Sequence, residues 1–398
     1  MNAEKSPQAG MRPRDLLFYL IGDRGAIERV AGSRCAWLVG ALLVLTAGIA
    51  RNYDHLDLRH QPEWFLGPFG ASLVSIVFIF LWISVPLKLH RVGGYRRQFG
   101  TFLALAWLTA PCAWLYAIPV EAVTDIVTAT KWNIAFLAIV AFWRVAIIVR
   151  AVSVLTHVGW TRVLPLVLAP AALEAMAGSF FKGLSLVGIM GGIRLPPHTE
   201  LLVQAANFTT VASFWILLIS VIISFSVNGV ARRPLSRAVT SSAKSIIPVS
   251  ALILLAWSFI AIMQRPPIAN RYRLEELIRE RKFEEAIAFA SAREREDFPP
   301  HHDFPPEPTS RFPAELLEKL PADAPAWLRE EWIQNAIESA KGSYFHQPSG
   351  WSEMLEQYPR IARAIDLHAD DLRSREDSLD RDEAFWLERH ESRSEERE

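Results

Sequence analysis

Residues 208–230 read FTTVASFWILLISVIISFSVNGV, a run without a single charged side chain. An α-helix rises about 1.5 Å per residue, so about 20 apolar residues cross the roughly 30 Å of hydrocarbon in a bilayer. The length and the missing charges predict a transmembrane helix here rather than a strand or a soluble core helix. Six further apolar runs lie around it, at about 35–50, 64–87, 99–120, 132–149, 163–177 and 246–263. The reading is an all-α protein: a polytopic transmembrane bundle of about seven spans, with a small soluble helical C-terminal domain.

The runs differ in quality. Those at 64–87, 99–120 and 208–230 are long enough outright. The first, Cys35 to Ala50, is short, but Arg34 and Arg51 can carry their charges to the two surfaces on flexible stems. The fifth, from Val163, is the weakest: it is short, contains Pro165 and Pro170, and carries Glu174. The first run is not expected to be a cleaved signal peptide, because 34 residues precede it and six more runs follow.

Charge divides the 398-residue chain into unlike parts. Residues 1–264 hold 22 Lys/Arg against 11 Asp/Glu, and residues 265–398 hold 20 against 31. The acidic tail would be repelled by a phosphate backbone, so nucleic acid is not an expected partner. The lipid bilayer is. Basic residues concentrate on cytoplasmic loops. The N-terminal segment, with the loops after the second, fourth and sixth runs, carries 16 Lys/Arg, whereas the alternate loops carry five. This places the N-terminus in the cytoplasm and, with seven spans, the tail outside. Arg265, Arg271 and Arg273 dissent from that orientation. The pattern suits a cell (inner) membrane protein of bacterial type.

The expected organisation is a cytoplasmic segment at 1–34, a transmembrane domain at 35–264 and a helical tail at 265–398. Leu16–Ile21 is too short to cross and reads as an interfacial helix, or as an extension of the first span. In the tail, RYRLEELIRERKFEEAIAFASARERE reads as two short helices joined near Lys282-Phe283, with Leu274, Leu277 and Ile278 facing Ala286, Phe289 and Ala290. This resembles one tetratricopeptide unit, although a solenoid needs about three. Residues 298–313, FPPHHDFPPEPTSRFP, form a Pro-rich linker. Helices follow at about 325–341 and 351–373. Their apolar residues need cover from each other, from the bundle or from a protein partner.

Two intramembrane polar residues are the candidate site: Glu174 in the fifth span and Arg144 in the fourth. Charged groups at bilayer depth are costly, and they usually pair or face a wet cavity. Counted from Arg150 and Arg162, Arg144 lies about 9 Å deep and Glu174 about 18 Å. The bland alternative puts Glu174 near the outer surface and lets Arg144 snorkel. In the first outer loop, Asp54, His55, Asp57 and His60 have donor atoms but no metal-motif spacing, as do His301 and His302. Hydrogen-bonded polar loops are expected there, with no metal. Gly188, Gly191 and Gly192 belong to no phosphate loop. Neither a hydrolase nor a kinase motif occurs, no cofactor is implied, and the chain reads as a non-enzyme. Cys35 and Cys112 both lie in apolar runs and suggest neither a disulfide framework nor a metal cluster.

Residues 93–120, GGYRRQFGTFLALAWLTAPCAWLYAIPV, join a glycine pair, a basic patch and an apolar span with a central proline. Over about residues 25–177 this layout resembles the Yip family of five-span membrane proteins. The resemblance implies a partner-binding role in a membrane, with no catalytic residue to carry over. The sixth and seventh runs and the long tail depart from that family's pattern. The expected function is a non-enzymatic membrane scaffold whose tail binds a protein. The alternative is a transporter or channel-like protein that uses Glu174, with Arg144 as its neighbour.

Overall fold

The computed structural model describes residues 11–53, 62–120, 123–187, 197–226, 231–237, 241–242, 244–298, 314–321 and 323–332. Its elements are α1 Pro13–Leu20, α2 Arg24–Ala31, β1 Ser33–Arg34, α3 Ala36–Asn52, α4 Pro62–Ser84, α5 Tyr95–Trp107, α6 Ile126–Thr156, α7 Trp160–Val187, α8 Pro197–Ser226, β2 Ser241–Ser242, α9 Ile247–Arg279, α10 Phe283–Ser291 and α11 Ala314–Glu318. A 3₁₀ segment, Ala110–Ala117, continues α5. The protein is all-α. Among the described residues six helices are long and apolar enough to cross a membrane, and α3 is a shorter apolar helix of 17 residues. The chain forms two compact units, residues 1–187 with 195–264, and residues 188–194 with 265–398.

Four connections meet at one end of the first unit. Strand β1 pairs in parallel with β2, Ser33 opposite Ser241. Ala231 N–H donates to Leu87 C=O and Arg232 N–H to Thr156 C=O, both at 3.0 Å. The buried Gln98 side chain donates to Leu89 and Gly93 carbonyls and accepts from Leu235 N–H. Arg237 donates to Leu155 C=O at the end of α6, and Ser245 to Met11 C=O. The N-terminal segment and the loops after α4, α6 and α8 therefore lie together. Together these four segments carry 16 Lys/Arg, against five in the alternate loops. Helices α3 to α9 consequently alternate in direction, leaving and returning to this basic end.

The core between the helices is centred on Val39, Leu43, Phe80, Phe102, Leu105 and Val152 of α3, α4, α5 and α6, and α1, α2 and α7 add Tyr19, Ile27 and Leu166. Phe80 sits at the centre of an aromatic cluster, with Tyr95, Phe99 and Phe102 at 5.0, 5.3 and 5.6 Å between ring centroids. Lipid offers no hydrophobic contrast, so such helices gain from close van der Waals approach at small residues. Gly40 makes that approach: a Cβ there would lie 2.7 Å from Trp107 Cβ. Apolar residues of α8 such as Phe208, Trp215 and Phe225 remain exposed, as a lipid-facing surface requires.

Three expectations change. The fifth span is not short: α7 runs 28 residues and takes Pro165 and Pro170 inside the helix. The third span is not one continuous helix, because α5 stops at Trp107 and the backbone tightens to 3₁₀ before Pro111. Proline has no N–H for the carbonyl four residues back, and its ring crowds that turn. The helix of the seventh run does not stop at residue 263: α9 continues to Arg279 through Pro266 and Pro267.

Helices α1 and α2 pack on each other across a turn at Gly22, whose φ is +79°. Tyr19 is wholly buried, while Leu17, Phe18 and Ile21 are exposed. Asp15, itself buried, is paired with Arg29 at 2.8 Å and caps α1 through Arg12 N–H. In the second unit the joint between α9 and α10 is Glu280–Lys282, with Arg281 in the left-handed region. Leu274, Leu277, Phe283, Ala286, Ala290, Leu316, Leu317, Leu328 and Trp332 are buried, and Phe298 stacks on Trp327 at 5.6 Å. The described apolar residues of the tail thus already have cover. The linker 299–313, the helix expected at 351–373 and most of that expected at 325–341 lie outside the described residues.

Candidate functional site

The span ends fix the depth of the polar residues. Helix α6 runs beyond Arg150 to Thr156, which is held at the basic end. Arg144 is therefore twelve residues, about 18 Å, from that end and not about 9 Å. Ser75 is twelve residues from Leu87, and Glu174 twelve from Arg162, again about 18 Å each. The mismatch in depth read from the sequence disappears. Arg144, Ser75 and Glu174 share one level on α6, α4 and α7, and α7 packs against both of the others.

Ser75 Oγ donates to Glu174 Oε2 at 2.6 Å. Glu174 Oε1 is buried and has no hydrogen-bond partner among the described residues. Arg144 Nε donates to Thr109 Oγ1 at 3.1 Å, and Thr109 Oγ1 donates to Ala106 C=O at 2.6 Å. Arg144 and Glu174 make no ion pair within 4.0 Å, although each lies within electrostatic range of the other. Tyr19, Cys112 and Tyr116 also lie within range of Arg144. Asp54, His55, Asp57, His60, His301 and His302, and Gly188, Gly191 and Gly192, fall outside the described residues. Among the described residues no group of three or more His, Cys, Asp or Glu is placed to hold a metal.

The helix break supplies the partner of Arg144. In a continuous α-helix Thr109 N–H would bond Leu105 C=O. Here Thr109 N–H goes to Ala106 C=O at 3.2 Å, which frees the Leu105 carbonyl. Tyr19 OH donates to it at 2.6 Å. Trp143 Nε1 donates to Leu20 C=O, and Arg150 Nε to Gly22 C=O, so the turn between α1 and α2 is tied to α6. Behind the break, Trp114 Nε1 donates to Thr46 Oγ1, which donates to Leu43 C=O.

Sequence reading finds Glu174 and Arg144 because charge is rare in apolar runs. It misses Ser75, Thr109 and Tyr19, whose residue types are ordinary there. Pro111 is the one local sign of the break.

Compared with family models, with curated proteins and with solved structures, the chain matches none. The fold alone defines the class: a helical, membrane-embedded protein with a polar layer inside its bundle.

Proposed function

We propose that this is a multi-pass protein of a cell (inner) membrane that moves protons or ions through a site centred on Glu174. The basic end then faces the cytoplasm, following the distribution of Lys and Arg. The tail follows the seventh pass and lies outside.

The observation that carries this reading is the carboxyl of Glu174. It sits at bilayer depth, held by Ser75 through one oxygen, with the other buried and without a partner among the described residues. A buried carboxyl with a free oxygen is costly as a purely structural element. It suits a group that exchanges a proton or contacts a passing ion. The interrupted helix beside it supports the same reading, since transporters place sites at discontinuous spans. The test is proton flux in vesicles reconstituted with the full chain. Glu174→Gln should abolish or flatten its pH dependence. Flux unchanged in the variant, or no flux above protein-free vesicles, would sink the proposal.

A second reading is a non-enzymatic scaffold whose tail binds a protein. It rests on the separate second unit and its excess of acid, and on the Yip-like layout of residues 25–177. The buried apolar faces of the described tail weaken it, because they leave less surface in need of a partner. Crosslinking in native membranes distinguishes the two: the scaffold requires a specific partner that is lost when residues 280–398 are removed.

A further inference from the structure

The guanidinium of Arg144 is left short of acceptors. It has five N–H groups in a planar fork. The Nε–H reaches Thr109, and the four on its terminal nitrogens meet no protein acceptor among the described residues. Among the described residues no carboxylate stands within 4.0 Å of it, yet Glu174 lies at its level on the neighbouring helix. Thr109 cannot turn away, because its own proton is held by Ala106 C=O. A charged fork at this depth needs both a counter-charge and oxygen acceptors. Water supplies acceptors but no charge.

We propose that Arg144 binds a small oxyanion, and that each anion bound brings one proton onto Glu174. The inference rests on the reading of Glu174 as a proton or ion site and names what accompanies the proton.

Charge balance gives the coupling. With the site empty, the positive Arg144 is offset by ionised Glu174. When an oxyanion takes the fork it replaces Glu174 as the counter-charge. An ionised Glu174 would then repel it and leave one negative charge in excess. Uptake of one proton by Glu174 removes the excess: anion and proton enter together, no bond is broken, and the net charge of the layer stays zero. The protonated carboxyl gains an O–H donor, while Oε2 keeps its bond from Ser75 Oγ. Planar, two-oxygen ions fit a guanidinium fork best.

Tyr19, Cys112 and Tyr116 lie within electrostatic range of Arg144, Arg51 lies within range of Tyr116, and Tyr19 has its proton committed to Leu105 C=O. Helices α4 and α8, which pack on α7, carry their titratable residues, Glu63, His198 and Glu200, only in their first turns. Glu174 is thus the acid at this level that can answer the anion.

The experiment uses the full chain in detergent, with acetate, nitrate and inorganic phosphate as probes and chloride as control. Thermal stabilisation reports binding. A pH indicator in weakly buffered solution reports protons taken up on mixing. The expected result is stabilisation by at least one oxyanion, with about one proton taken up per anion. Arg144→Lys should bind at least tenfold more weakly, since a point charge replaces the fork. Glu174→Gln should still bind, without proton uptake. Two results overturn the proposal: no stabilisation by any of the three oxyanions, or equal proton uptake in wild type and Glu174→Gln. If either occurs while vesicle proton flux remains dependent on Glu174, the oxyanion is refuted and the proton site stands. If that flux is also absent, both fall.

Discussion

Removing one hydroxyl tests the account of the broken span. Tyr19→Phe keeps the ring, which is wholly buried, and deletes only the donor to Leu105 C=O. Interhelical hydrogen bonds in membrane proteins average about 0.6 kcal/mol, with a maximum near 1.7. A buried acceptor left without any donor costs about 1–3 kcal/mol. The second case applies, because the N–H and the hydroxyl of Thr109 are both committed to Ala106. The expected loss is therefore about 1.5–2 kcal/mol, at least a tenfold shift in the unfolding equilibrium. The assay is unfolding of the full chain in mixed micelles with increasing dodecyl sulfate. Alkylation of Cys112 in a Cys35→Ser background is a local reporter, since Cys112 is buried just beyond the break. Its labelling should accelerate in the variant. Tyr95→Phe is the control: that hydroxyl meets Ser84 at 3.2 Å on a residue with an exposed ring, and its loss should cost less than about 0.5 kcal/mol. If Tyr19→Phe matches the control in both stability and labelling, the break is held by Pro111 alone, and the N-terminal helices do not support it.

Gly40→Ala should destabilise the bundle by about 1–3 kcal/mol in the same micelle titration. The new Cβ meets the Cβ and backbone of Trp107, which cannot swing aside as a flexible side-chain tip would. Asp23→Ala should cost about 1 kcal/mol and fray α2, because it removes the acceptor for Ala26 N–H. Arg237→Gln releases the carbonyls of Leu155 and Pro234 and should speed hydrogen exchange across 231–237. The α9–α10 joint has its own pH signature. The side-chain hydrogen bond and charge of Lys282 hold Glu280 below the usual carboxylate range, and Glu280 in turn raises Lys282. The Glu280 contribution is present above the ordinary glutamate range and lost as pH falls through the depressed value. The Lys282 contribution is present below the ordinary lysine range and lost as pH rises through the elevated value. Protection factors at 283–291 should therefore fall at both extremes, and a flat profile would remove the pair from the account.

Hydrophobic length and charge are local properties of a chain, and so the sequence alone determined the all-α membrane class, the seven apolar runs and the grouping of basic segments at one end. Each follows from how many consecutive residues avoid water and where Lys and Arg interrupt them. Helix ends are only partly local, which is why Arg144 was misplaced in depth: the six residues from Ala151 to Thr156 look like a loop after an arginine, yet they complete α6 by docking on the 231–237 segment. Tertiary structure alone decided the chemistry of the polar layer. Ser75 meets Glu174 across 99 residues of sequence, and Tyr19 meets Leu105 across 86. A serine or a tyrosine in an apolar run has no periodic signature. What assigns each its partner is the helix packing, together with the obligation of every backbone carbonyl inside a membrane to find a donor.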